Sequence, residues 1–139
     1  MMCYFAKLEP DNDGLLVTFP DIPEAMSAGS TRPEALENAR EALEVALLTY
    51  AAHGRALPPS THESDMPVEI GAAVSVKIAF IQAFLDSGMT RVALARKLGK
   101  QEGEVRRMLD PYHRTKLATM EAGLQALGKR LVITVKNAA

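Results

Sequence analysis

Tryptophan is absent from these 139 residues, and cysteine occurs once, as Cys3. A single cysteine excludes an intramolecular disulfide and leaves no cysteine pair of the spacing that holds structural zinc. Cys3 reads as a small apolar strand residue, because no base or cation beside it would make its thiol reactive. Long apolar runs are missing too: none approaches the roughly 20 residues that span a bilayer. The opening "MMCYFAKLEP" lacks the basic flank and apolar stretch of a secretory signal. The expectation is a cytoplasmic protein with no membrane partner, and no motif calls for a cofactor or metal. Net charge is almost absent at −1, while 47% hydrophobic and 24% charged residues make an ordinary globular composition. The length suits one domain or two very small ones.

The near-zero charge hides a split. Residues 1–74 carry four bases against twelve acids, net −8, and residues 75–139 carry twelve bases against five acids, net +7. One half suits a basic partner and the other a polyanion.

The fold expected from the pattern is α+β for residues 1–74 and all-α for residues 75–139. "CYFAKLE" and "GLLVTF" are apolar runs around "PDNDG", a hairpin signal in which Gly14 can take a positive φ. "AMSAG" is a weaker third strand of an antiparallel sheet. Thr31 and Glu34 have capping-box spacing, so a long helix starts there and stops near Gly54. Leu36, Ala39, Leu43, Ala46, Leu47 and Tyr50 form its buried stripe, and Glu34, Glu37, Glu41 and Glu44 its acidic face. The proline-rich "LPPSTHESDMP" breaks compactness before an extra strand, "VEIGAAV". Helices follow from Ser75, and "KRLVITVKN" alternates like a short terminal strand.

Residues 91–109 have the spacing of a helix-turn-helix: Leu94, Leu98, Val105 and Met108 inside, Ala95 small at the crossing, Gly99 at the turn. A helical hairpin used only for dimerisation would share that spacing. In the DNA-binding reading, Gln101, Glu102, Gly103, Arg106 and Arg107 face the groove, with arginine suited to guanine, Gln101 to adenine and Glu102 to cytosine N4. Gly103 costs about 1 kcal/mol against alanine but lets the backbone approach. Glu104 is assigned to solvent or an ion pair. Thr90 and Arg91 at a helix start, with His113, Arg114 and Lys116 in the following loop, are placed on phosphates. A solvated loop histidine describes His113 equally well.

"FPDIPEAMSAGSTRPEALENAREAL" resembles the signature of the HicB antitoxin family, and "LARKLGKQEGEVRRMLDPYHRTKLATMEAGLQALGKRL" the Cro/repressor-type helix-turn-helix of one of its branches. Together they cover most of the chain. The resemblance implies a partial ribonuclease-H-like N-terminal domain without catalysis. That domain masks a small basic mRNA-cleaving toxin, HicA, while the C-terminal domain represses the shared operon through operator double-stranded DNA. Glu24 and Ala25 depart from the family's usual Gly followed by a small residue, and Lys100 from an often apolar position. Toxin contacts are expected from Asp21, Ile22, Met26, Glu37, Glu41 and Glu44, with Tyr50 a further apolar candidate. Residues of the type and setting of Ile22, Met26 and Tyr50 are more often core than interface. A stand-alone repressor with an oligomerising or ligand-sensing N-terminal domain is the alternative. A nuclease built on Asp11, Asp13 and Asp21 is disfavoured, since these acids read more simply as turn residues while two-metal chemistry needs convergent carboxylates. Small cores and paired half-sites both favour a homodimer or higher homo-oligomer, with "RLVITV" pairing between subunits or folding back.

Overall fold

In the computed structural model, which describes residues 2–63 and 66–138, four strands and five helices succeed one another: β1 (Cys3–Asp11), β2 (Gly14–Thr18), β3 (Met26–Gly29), α1 (Arg32–Ala52), β4 (Met66–Glu69), α2 (Ala72–Ser87), α3 (Arg91–Leu98), α4 (Glu102–Leu109) and α5 (Leu117–Ala126). Ser64 and Asp65, within the proline-rich stretch expected to break compactness, lie outside the described residues.

The sheet is antiparallel in the order β3-β2-β1-β4. Leu8 faces Val17, Val17 faces Ser27 and Tyr4 faces Val68, so these residues share the face that α1 covers. Pleating sends Phe5, Leu16, Thr18 and Met26 to the opposite face, where none of them is buried. The hairpin is as expected, but the positive φ belongs to Asn12, at 54°. Asparagine tolerates that region. Gly14 instead opens β2, where a Cβ would strike the Gly29 carbonyl.

Thr31 Oγ1 accepts the Glu34 amide at 3.3 Å, and Pro33 stands in the first turn where its missing N–H costs nothing. Ala39, Leu43, Ala46, Leu47 and Tyr50 are buried on one stripe. Each fully buried leucine contributes about 1.5–3 kcal/mol over exposure. Asn38 Nδ2 donates to the Ala28 carbonyl at 3.0 Å and so covers part of the free edge of β3.

Two expectations are corrected. "VEIGAAV" does not continue as a strand: β4 ends at Glu69, and Ala72 already belongs to α2. Gly71 lacks a side chain to cap α2, and Glu44 Oε1 accepts its amide at 2.9 Å from across the core. The helix therefore starts at Ala72 and runs through the expected division between residues 74 and 75. Ile78 of α2 packs in the N-terminal core and Ala51 of α1 in the C-terminal one, so the two cores share these helices. "KRLVITVKN" forms no ladder among the described residues; Leu131 packs partly on the C-terminal core and Lys136 reaches Glu69 at 2.7 Å. Period-two alternation supplies a strand's side chains, but a ladder also needs an open neighbouring edge at hydrogen-bonding distance.

Candidate functional site

The C-terminal core of Phe80, Ile81, Leu94, Ala95, Val105, Met108, Met120 and Leu124 fixes how α3 and α4 present their outer surfaces. Gly99 ends α3 with φ 65°, a left-handed conformation that glycine adopts without a Cβ penalty. Lys100 and Gln101 then lead directly into α4. Leu94, Val105 and Met108 are buried as expected, and Leu98 is partly so.

That packing leaves Gln101, Arg106 and Arg107 exposed along α4. Glu104 is partly exposed and has a local role: its Oε2 accepts the Gln101 amide at 2.9 Å and closes the helix start. Glu102 bridges Arg106 Nη2 at 2.6 Å and Arg91 Nε at 3.3 Å. Two cations and the carboxylate offered to cytosine are thus held together. Arg107 makes no ion pair among the described residues, and it lines a cleft of about 320 Å³ with Lys100, His113, Arg114, Thr115 and Lys116 among others, Glu104 being the one acid of the lining. Lys100 and Thr115 line the cleft without belonging to the sequence-based set; for Lys100, a cation directly after the turn glycine is the available signal. His113 Nδ1 lies 3.3 Å from Thr115 Oγ1. Thr90 caps α3 by accepting the Ala93 amide at 3.1 Å. A Cβ on Gly103 would meet only Arg107 Nη1, at 3.9 Å, so this part of α4 is open.

The acidic half presents a groove of about 520 Å³ between α1 and β3, lined by Glu24, Ser27, Glu41, Val45, Tyr50 and Arg55 among others. Val45 is 63% exposed at its rim, an apolar residue absent from the sequence-based set. Tyr50 is buried, and its hydroxyl donates to Glu24 at 2.9 Å while the Arg55 guanidinium stacks 4.2 Å from its ring centre. Glu24 is held below the ordinary carboxylate range, first by its own backbone amide and then by Tyr50. The unusual Glu24 thus closes onto the helix, and Ala25 fits a local turn through its amide to the Ile22 carbonyl at 3.0 Å.

The expected toxin-contact residues divide. Ile22 is fully buried in the N-terminal core, which corrects its assignment as a surface contact: the 19–25 turn folds it inward. Asp21 accepts from the Thr61 amide at 2.8 Å and the Thr61 hydroxyl at 2.7 Å, with His62 Nδ1 at 3.0 Å. Those bonds, the Thr61 amide foremost, push its pKa down to about 2. Glu37 and Glu41 are exposed on α1. Glu44 is half-buried against Arg40 and Gly71. Met26, 60% exposed, lies on the open sheet face rather than with the acidic stripe.

Asp11 ends β1 and Asp13 lies within the two-residue hairpin turn, and among the described residues no three His, Cys, Asp or Glu side chains converge as a metal site would require. No single described helix is long and apolar enough to cross a membrane.

A family model described as a HicB-like antitoxin of bacterial toxin-antitoxin systems matches residues 3–79. The chain is 38% identical to Antitoxin HicB 2 of Photorhabdus laumondii over 94% of both chains. It is 36% identical to Antitoxin HicB of Escherichia coli K12 over 96% of this chain and 99% of the relative. Antitoxin HicB of Pseudomonas fluorescens is 33% identical over 99% of this chain and 97% of its own length. The family match over more than half the chain and near-full-length relatives above 30% identity place this protein in the HicB-like antitoxin family.

Proposed function

We propose that this antitoxin occludes an mRNA-cleaving toxin of the HicA kind with its N-terminal half and represses its own operon with α3 and α4 acting as a helix-turn-helix. The partial ribonuclease-H-like reading of the N-terminal half belongs to the same proposal, as do a non-enzymatic role and a cytoplasmic setting. The observation that carries it is the separation of charge on the folded chain. A groove with an apolar rim, bearing Glu24 and Glu41 against Arg55, lies at α1 and β3 in the acidic half, and a cleft with four Lys and Arg side chains against Glu104 lies beside Arg107 at α4. A basic ribonuclease would be steered to the first and duplex DNA to the second.

Within α4, Arg107 is the guanine reader in preference to Arg106, whose charge Glu102 engages. Lys100, Arg114 and Lys116 contact phosphates. A homodimer paired through the extended C-terminal segments brings two reading helices to half-sites about 34–36 Å apart.

Arg107→Ala tests this division of labour. Operator affinity should fall by about tenfold or more, corresponding to the roughly 1–3 kcal/mol of a bidentate base contact, while toxin inhibition is unchanged. Retained sequence-specific binding by Arg107→Ala, measured by fluorescence anisotropy against scrambled duplex, would reject Arg107 as reader. Failure of a co-expressed small basic ribonuclease to copurify would reject the toxin half and favour a stand-alone repressor.

A further inference from the structure

Lys77 is the one charged residue among the described residues that is buried, at 6% exposure. It lies in α2 beneath Thr115 of the basic cleft, and its ammonium makes two directed hydrogen bonds. Nζ donates to the Met108 carbonyl at 2.9 Å, in the last turn of α4, and to Thr115 Oγ1 at 2.8 Å. Thr115 in turn meets His113 and lies between Arg114 and Lys116. A single amine therefore ties together α2, the C-terminal end of α4 and the loop that carries the basic cleft.

Burying an ammonium is costly, because it loses water that two hydrogen bonds only partly replace. Desolvation accordingly lowers the Lys77 pKa, opposed by the negative charge of Asp110. An apolar side chain of similar length would fill the same space without that cost, so packing alone does not account for lysine here. The carbonyls of a helix's last turn are otherwise unpaired and favour a cation, which a lysine from a neighbouring helix supplies.

We infer that Lys77 is a positioning residue for DNA recognition, setting the C-terminal end of α4 and the 110–116 loop in the register that lets Arg107, Arg114 and Lys116 bind one duplex together. The inference rests on α4 being the reading helix. It adds a residue that touches no DNA and that no surface pattern reveals.

The test compares Lys77→Met, Thr115→Val, the double variant and Arg107→Ala in the full-length protein, using a duplex from upstream of its own reading frame. Lys77→Met should weaken operator binding by about tenfold, the scale of a lost charged hydrogen bond. Its melting temperature should stay within a few degrees of the wild type, because relief of the buried ammonium offsets the lost partner of the Met108 carbonyl, and its toxin inhibition should be unchanged. Thr115→Val should weaken binding by about threefold, from loss of one of the two anchors. The double variant should be no worse than Lys77→Met, because both act through one tether.

A Lys77→Met protein that is stable and binds within twofold of wild type overturns the inference while leaving the Arg107 reading intact. If Lys77→Met does not fold, wild-type affinity in Thr115→Val overturns it, and loss of affinity with an unchanged melting temperature upholds it. A wild-type protein that ignores the duplex overturns both.

Discussion

Asp21 sits between two prolines, where sequence alone makes it a turn acceptor or a surface acid. The structure turns it towards Thr61 and His62 and so secures the loop after α1 to the loop before β3. Its folded pKa of about 2 lies below the ordinary aspartate value of 3.8. The carboxylate therefore adds stability that is complete above the unfolded value and is lost as pH falls through about 4 towards about 2. Asp21→Asn keeps the shape but removes the charge, so it should melt a few degrees below wild type at pH 7. The gap should close across that acid window. Thermal melts at a series of pH values check this, and a gap that persists at pH 2 would show that shape, not charge, matters at Asp21.

Elements are legible in this sequence wherever local chemistry specifies them: the turn between β1 and β2, the Thr31 cap and apolar stripe of α1, the glycine that ends α3. The misread elements depend on partners distant in sequence. Gly71 begins α2 because Glu44, 27 positions earlier, takes its amide, and no window of neighbouring residues contains that bond. Likewise Ile22 has a surface-like prolyl context and becomes core only through the 19–25 turn. The basic residues of the cleft are visible as charges, and the pairing of Arg106 with Glu102 follows from their i,i+4 spacing on α4, whereas the engagement of Arg91 by the same carboxylate is tertiary geometry between α3 and α4.

Gly123 illustrates the same limit on α5, where it reads as a mild helix breaker. A Cβ there would lie 2.6 Å from Phe80 Cε1 and 2.8 Å from Met108 Cε, so the glycine permits α5 to cross α2 and α4 closely. Gly123→Ala gains about 1 kcal/mol of helix propensity but overpacks a core, which costs about 1–3 kcal/mol. Phe80 is fully buried and has nowhere to move. The net should be a loss of about 1 kcal/mol by urea titration, together with weaker operator binding because Met108 anchors α4. A more stable Gly123→Ala protein would mean that α5 shifts freely.

At the scale of the whole molecule, the least satisfied part is the segment after α5. Val132 and Val135 are 74% and 91% exposed, and residues 131–138 form no strand within the chain. A β-branched extended segment with open backbone groups is a template for pairing with another strand. In the proposed dimer that strand is the same segment of a second copy. Antiparallel pairing about a two-fold axis would set residues of like parity opposite one another, placing Leu131, Ile133 and Val135 on one shared face. Truncation after Arg130 should then convert a dimer to a monomer in light scattering. Operator affinity should drop by about tenfold or more as the second half-site contact loses its tether, while toxin inhibition, proposed to use the α1 groove, should persist. If the truncated chain remains dimeric, the contact between copies lies elsewhere, and the open sheet face bearing Phe5, Leu16 and Met26 is the next surface to mutate.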